Sequence, residues 1–443
     1  LKPFWLKLCH ARPPHRRGLR PPNPNTRNTA KAMRVLVVGA GCTGAAAAAR
    51  LREQLPDASI SVWEKARGAG GRYTTSRDTV SSCELRADMG AQYASVDPSD
   101  ADSMELMESI VRAGAAKRAT KRELADIAER NASFHQYQGT AGQNGIVKAM
   151  LNMARAEVTF ERRVSRLDKR GGRWTATAYE GATQDFDCVL MCVPGCGPGG
   201  DNLNKINGTW QNQLSNADWR DVEVPHDARF AVALFLRPGS SRALSSFFGE
   251  CVERRVRSGG IELLIWQSWK NGDALDGPQV VVAHTGRHPR GNKSSALRPL
   301  VGEACGLLGI QPNAVASSKI ITWYQSQVLS TSSRAPCLVA SEAPPLILAG
   351  DYLTSSTFTG CAGSGSAAAA EAARLLGGSQ RQSQSAKRPR EVAEQGSNDA
   401  DRSTTRKVMV SAAPADVPSD EAEKRRKRAA RFGLGVPDRL IGA

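Results

Sequence analysis

The stretch Arg34-Val35-Leu36-Val37-Val38-Gly39-Ala40-Gly41-Cys42-Thr43-Gly44, running on into Ala45-Ala46-Ala47-Ala48-Ala49, decides how this chain folds. Its opening is an apolar run of strand length, and the alanines that follow favour a helix. The three glycines between them have separate uses. Gly39 permits a tight turn, Gly41 lets backbone come close to a pyrophosphate, and Gly44 lets the helix pack against the strand. The N-terminus of that helix then offers unpaired N–H groups and the positive end of its dipole to an anion. A second strand is expected at 60–63 and ends at Glu64, twenty residues after Gly44, where an acid would bond ribose hydroxyls and disfavour a 2′-phosphate. Strand, turn, helix, strand and acid in this register predict a bound dinucleotide.

Outward from this unit, apolar runs of strand length recur at 158–160, 189–193, 231–236, 261–266, 280–283 and 346–349. Helical stretches lie around 45–55, 103–114, 144–155 and 366–376. The pattern is α/β, with a β-rich insertion between about 200 and 330 and no internal repeat. At 443 residues, 40% apolar and 23% charged, the chain can bury a sizeable core as one large or two interleaved domains. Fibrous, collagen-like and fully disordered classes are excluded.

The net charge of +17 sits mostly at the ends. Residues 1–32 carry eight bases and no acid, and residues 379–443 carry fourteen bases and nine acids, which leaves +4 for the body. A nucleic-acid-coating domain therefore does not fit the body. The first 32 residues read as a disordered or transit-like extension, or as sequence upstream of a start at Met33; Pro13-Pro14 and Pro21-Pro22 interrupt any helix there. From Gly377-Gly378 onward the composition is that of a disordered tail, with a short basic helix expected near 420–432, capped by Asp420 and carrying Lys424-Arg425-Arg426-Lys427-Arg428. With Lys387-Arg388-Pro389-Arg390, it reads either as an import signal or nucleic-acid contact, or as a solvated charged helix without a partner.

The ten cysteines follow no framework spacing, so no disulfide is expected and a reducing compartment is favoured. Cys188, Cys192 and Cys196 recur every four residues on a strand-to-loop passage that would not converge them, so no metal site is predicted. No run of 18 apolar residues is present, so no membrane span is expected. The cytoplasm is the expected location, with an organelle or the nucleus left open by the two ends.

Two further glycine clusters follow. Arg67-Gly68-Ala69-Gly70-Gly71-Arg72-Tyr73-Thr74-Thr75 comes straight after the second strand, and a late strand runs into Gly350-Asp351, then Phe358-Thr359-Gly360-Cys361-Ala362-Gly363-Ser364-Gly365 and a helix. The G-G-R-x-x-T segment resembles that of the FAD-dependent amine oxidase superfamily. That resemblance implies FAD, with Arg72 backing the cofactor, Gly350-Asp351 holding its ribityl–phosphate part and the last helix aimed at the pyrimidine edge of the flavin. A helix dipole there would favour the reduced, negatively charged ring.

Within that superfamily, Ala87-Asp88-Met89-Gly90-Ala91-Gln92-Tyr93 resembles the A-D-L-G-A-Q-Y of renalases, and Phe358-Thr359-Gly360-Cys361 their F-D-G-C. Softer matches follow the renalase order across about 33–378, among them Arg163-Val164 and Val281-Val282-Ala283-His284-Thr285. The resemblance implies a p-hydroxybenzoate-hydroxylase-like architecture. An FAD domain would be assembled from 33–95, 140–200 and 335–378, with a sheet-based substrate domain from 96–139 and 201–334. It implies oxidation of 2- or 6-dihydro isomers of NAD(P), hydride passing to non-covalent FAD and oxygen reoxidising it to give hydrogen peroxide. Such chemistry needs stacking, orientation and exclusion of water more than acid–base groups. The cofactor contacts implied are Gly39, Gly41, Cys42, Thr43, Gly44, Glu64, Lys65, Gly71, Arg72, Gln92, Val164, Gly350, Asp351, Gly360, Cys361 and Ala362. The substrate side would present His284, Tyr93, Gln92 and Trp323; a buried histidine satisfied by backbone is the plainer role for His284, and structural contacts are the plainer roles for Arg72, Gln92 and Tyr93.

Two departures stand out. Where renalases commonly have W-R-H-S this chain has Trp323-Tyr324-Gln325-Ser326, so a basic group is missing, and after Pro194 the run Gly195-Cys196-Gly197-Pro198-Gly199-Gly200 differs from the family. The alternatives are a flavin amine oxidase with a lysine-bound water, for which the sequence does not choose among Lys148, Lys270, Lys293 and Lys319, and a flavin fold serving as carrier for a nuclear or RNA-contacting tail.

Overall fold

Arg34–Val38 pairs in parallel with Ser59–Trp63 on one side and Cys188–Met191 on the other. In the computed structural model, which describes residues 32–120, 133–197, 202–287, 291–331, 333 and 335–385, these strands centre a six-stranded sheet. Its order is Cys337–Glu342, Pro345–Ala349, Cys188–Met191, Arg34–Val38, Ser59–Trp63 and Glu157–Thr159. All neighbours are parallel except the first pair, a hairpin. Every residue from Cys42 to Leu51 of the Cys42–Gln54 helix is buried, because the helix lies between the sheet, the Asn144–Ala154 helix and the Phe358–Ser385 helix. Alanine is what such a three-sided contact requires: larger side chains would hold the neighbours apart.

The other face of this sheet meets a three-stranded sheet, Val164–Arg170, Arg173–Ala178 and Thr183–Phe186, around Trp174 and Phe186. A separate five-stranded antiparallel sheet is ordered Glu253–Ser258, Ile261–Trp266, Gln279–Thr285, His226–Leu236 and Val315–Val328. Strand alternation sorts its two faces. Phe230, Val232, Leu234 and Leu236 pack on the Lys293–Leu308 helix, whereas Ala231, Ala233 and Phe235 face Val80, Leu85, Ala87 and Met89 of the ribbon formed by Thr75–Val80 and Cys83–Asp88.

The α/β class expected from sequence is found. The division of residues between layers differs in two places. Segment 96–139, grouped by sequence with the substrate layer, instead puts Leu106, Met107, Ile110, Ala116 and Tyr137 into the core around the first helix. The 75–88 ribbon, grouped with the FAD segments, packs on the five-stranded sheet. In both places the pattern of apolar residues identified the elements but not which layer they cover. The Lys293–Leu308 helix was not foreseen, and the last helix begins at Phe358, taking the glycine-rich run into its first turns. The extension before residue 32 and the expected helix near 420–432 lie outside the described residues. Among the described residues no helix is long and apolar enough to cross a membrane.

Candidate active site

The three glycine clusters, remote in sequence, come together at the carboxyl end of the six-stranded sheet. Gly39 takes φ +103, and a Cβ on it would lie 2.7 Å from the Cys192 carbonyl oxygen. A Cβ on Gly44 would lie 2.0 Å from the Gly39 carbonyl oxygen, so the helix can start here only with glycine at that position. Gly41 is different: a Cβ there would meet no protein atom within 4 Å. Gly71, at φ +53, lies against Gly41, its Cβ position 3.2 Å from the Gly41 Cα. Glycine loops one and two therefore touch, and Gly41 opens outward from their contact.

Arg72 reaches from the second loop to the third. Its Nη1 and Nη2 donate to Asp351 Oδ2 and Oδ1 at 2.6 and 2.7 Å, a bidentate pair. Ser356 Oγ also donates to Asp351, at 2.5 Å. Burial would raise the Asp351 carboxyl, but the Arg72 charge and these hydrogen bonds outweigh it and hold the group below the usual carboxylate range. Asp351 thus fixes Arg72 beside the groove. Cys42, Thr43, Cys361 and Ala362, all buried, come from the first turns of the two helices flanking it, with Gly360 packed on Ser355. A Cβ on Gly350 would fall 2.3 Å from the Tyr352 ring, so glycine is what fits there.

Glu64 is buried, and both carboxylate oxygens accept backbone N–H groups, from Ala40 at 2.7 Å and Ala66 at 2.8 Å. It straps the first loop to the end of the second strand. Lys65 is exposed beside it, and Val164 lies in the core on the opposite face of the sheet.

The Gln92 side chain is bonded to the protein at both ends. Its Nε2 donates to the Asp88 and Gly90 carbonyls at 2.7 and 3.2 Å, and its Oε1 accepts from Gln267 and from Lys270 Nζ, the latter at 3.1 Å. These bonds are the structural contact that the sequence set beside a site role for Gln92. It belongs to a buried network that sequence did not reveal. Lys270, 1% exposed, donates to Asp88 Oδ2 at 2.9 Å and to the Gln92 carbonyl at 3.0 Å, with its ammonium 5.3 Å from the centre of the Tyr93 ring. Asp88 Oδ1 accepts from Thr75 Oγ1 at 2.7 Å and Gln143 N at 2.9 Å. The network joins ribbon, helix start and five-stranded sheet in one buried cluster. The only hints in the sequence were Asp88 in its motif and Lys270 among four undistinguished lysines.

Trp323 Nε1 donates to the Met89 carbonyl at 2.8 Å, tying the five-stranded sheet to the same motif. His284 follows Val280 and Val282 on the ribbon-facing side, and its Nε2 is buried without a hydrogen-bond partner. Burial, with the nearby Arg229 and Lys270 charges, pushes its imidazole down to about 4. His226, which the sequence placed in no pattern, has its Nδ1 2.8 Å from the Val224 carbonyl and a buried, unpartnered Nε2. Tyr324 is 52% exposed, while Gln325 is buried and donates from Nε2 to the Gly195 carbonyl at 3.1 Å.

Comparison with known proteins agrees with this geometry. Residues 37–109 match the family of NAD(P)-binding Rossmann-like domains. Renalase of Mus musculus is 27% identical over 347 residues, spanning 74% of this chain and 95% of renalase. Two putrescine oxidase structures share the fold at 13% identity: a double mutant with redesigned cofactor binding, at TM-score 0.52, and the wild type bound to putrescine, at 0.51. They cover 78% of this chain and all of theirs. The chain is therefore a relative of renalase, an oxidoreductase with the fold of the FAD-dependent amine oxidases.

Proposed function

We propose that the chain is a renalase-like flavin oxidase: it holds FAD non-covalently, receives hydride from a 2- or 6-dihydro isomer of NAD(P), and passes the electrons to oxygen as hydrogen peroxide. The residues fit the cofactor. Gly41 leaves space where a Cβ would stand, Gly71 backs it, and two helix N-termini flank the same groove, which suits a pyrophosphate. The loop at Gly39–Gly44, the pair Arg72–Asp351 and the segment Gly360–Ala362 would hold the two ends of FAD. When bound, FAD supplies the hydride acceptor.

The protein's own contribution is positional. Trp323 and the Asp88–Lys270 cluster fix the backbone of residues 87–93 against the five-stranded sheet, and Tyr93 covers the ammonium of Lys270. His284, uncharged at neutral pH, offers one free ring nitrogen to a substrate amide on the sheet face. A dihydropyridine gains aromaticity as it loses hydride, so no base is required.

One observation carries this reading over an amine oxidase: Lys270, the only deeply buried lysine of the four candidates, has all three donors engaged by Asp88 and Gln92. Lys148 and Lys293 are exposed, and Lys319 pairs with Asp78 at 3.3 Å. None of the four is left to hold a water at the flavin. Anaerobic titration decides between the two: 6-dihydro-NAD is expected to bleach the flavin absorbance and amines to leave it unchanged. Bleaching by amines alone would overturn the assignment.

A further inference from the structure

His226 carries a nitrogen that nothing in the protein uses. The residue opens the strand His226–Leu236 and is partly buried. Its Nδ1 lies 2.8 Å from the Val224 carbonyl, which can only accept, so Nδ1 holds the ring proton. Nε2, buried and without a partner, is then left with a lone pair and no donor to fill it. Burial lowers the imidazole from its ordinary range, which keeps the ring in this uncharged form at neutral pH. The surroundings place the ring. His226 stands opposite Val328 in the sheet ladder; Val328 N donates to Ser356 Oγ at 2.9 Å, and Ser356 Oγ donates to Asp351 Oδ2 at 2.5 Å. Arg72, bound to Asp351, also reaches the Ser326 carbonyl on the same strand as Val328, at 3.3 Å. From another side, a Cβ on Gly197 would stand 3.7 Å from His226 Nδ1 and 3.2 Å from Gln325 Nε2. The ring therefore sits where the Arg72–Asp351 pair, the edge strand of the five-stranded sheet and the glycine loop after Pro194 meet.

We propose that His226 is a cofactor-binding residue whose Nε2 accepts a hydrogen bond from a hydroxyl of the ribityl chain of FAD. The proposal rests on the flavin reading above and names a contact within it. The order of the six-stranded sheet gives the direction in which the cofactor lies. Glu64 follows Ser59–Trp63 on one side of Arg34–Val38, and Asp351 follows Pro345–Ala349, two strands away on the other side. A pyrophosphate at Gly41 thus sends one half of a dinucleotide toward Glu64 and the other toward Asp351. With the nucleoside ribose at Glu64, the half beside Asp351 and His226 is the flavin half, and its part next to the pyrophosphate is a chain of hydroxyls. Chemistry makes the same choice. A phosphate offers only acceptors and cannot serve a lone pair, whereas a hydroxyl donates. Because Val224 fixes the proton on Nδ1, the ring presents Nε2 as an acceptor before any ligand arrives.

The test measures Kd on full-length, FAD-free protein by quenching of flavin fluorescence, with FAD and with its 2′-, 3′- and 4′-deoxyribityl analogues. The parent is expected to bind one of the three analogues roughly three- to tenfold more weakly than FAD, the worth of one hydrogen bond. His226→Asn keeps an amide donor for Val224 but has no acceptor at the place of Nε2. It is expected to bind FAD more weakly by the same factor and to bind that analogue as well as FAD. His226→Gln, which carries an amide oxygen out to the place of Nε2, is expected to recover part of the affinity. Urea midpoints of the FAD-free proteins accompany these values, because a merely structural histidine would lower stability without changing how the analogues rank. Equal binding of all three analogues by the parent overturns the proposal, as does a His226→Asn protein that still discriminates against the same analogue. Unchanged FAD affinity in His226→Asn with a raised KM for 6-dihydro-NAD also overturns it, and gives the nitrogen to a substrate amide instead. A folded parent that binds no FAD refutes the flavin reading, and this contact falls with it.

Discussion

Gln325 Nε2 donates to the Gly195 carbonyl at 3.1 Å, so the two places where the chain departs from the renalase pattern touch each other. A Cβ on Gly197 would stand 3.2 Å from the same nitrogen. The amide at 325 and the glycine loop after Pro194 are thus joined directly. Gln325→Ala leaves that carbonyl unpaired, at a cost of about 0.5–1.5 kcal/mol. If this loop shapes the substrate side, KM for the dihydronicotinamide rises roughly two- to tenfold while kcat holds; steady-state kinetics measure the split.

Gly41 and Gly44 look alike in the motif but fail differently. An alanine at 41 meets no protein atom, so Gly41→Ala is expected to fold normally, within about 0.5 kcal/mol of the parent, and to lose FAD. Gly44→Ala drives a methyl into the Gly39 carbonyl and costs roughly 1–3 kcal/mol before any ligand is added. Urea unfolding of FAD-free protein separates the two, with flavin absorbance of the purified proteins as the second measurement.

Lys270→Met removes the cation from a buried carboxylate. Asp88 keeps its bonds from Thr75 and Gln143 but loses its ion-pair partner, so a loss of about 3–5 kcal/mol is expected. Adding Asp88→Asn should restore part of it, because the charge left behind is the main cost. A double-mutant cycle by chemical denaturation reads the coupling. Full stability of the single variant would show that the pair contributes nothing to the fold.

His284 sets a pH window. Its imidazole titrates near 6.5 in the unfolded chain and is pushed down to about 4 in the fold. Between those values the unfolded chain binds the proton and the folded one does not, so stability falls as pH drops from 6.5 toward 4, by up to about 3 kcal/mol. His284→Gln should flatten that slope, as measured by urea midpoints at pH 7.5 and pH 5. Above pH 6.5 the histidine adds no step to the pH–rate profile.

The nucleotide-binding half was legible in the sequence because its requirements are local: a strand, a turn that only glycine can make, and a helix of alanines announce themselves within twenty residues. The substrate side was not. Gln92 sits in a motif that marks the site, yet its role depends on Gln267 and Lys270, some 175 and 178 residues away. A lysine gives no sign in sequence of being buried, since that depends on the partner that folding brings to it. Likewise the free nitrogens of His226 and His284 are defined by what surrounds them, not by their neighbours along the chain.

Arg72 and Asp351 clasp each other across 279 residues. A polypeptide still emerging from the ribosome has its first glycine turn early but lacks the far wall until nearly all of the folded body has been synthesised. On the flavin reading proposed above, cofactor loading waits for both walls, and a scarcity of riboflavin would leave behind folded but empty molecules, not stalled fragments.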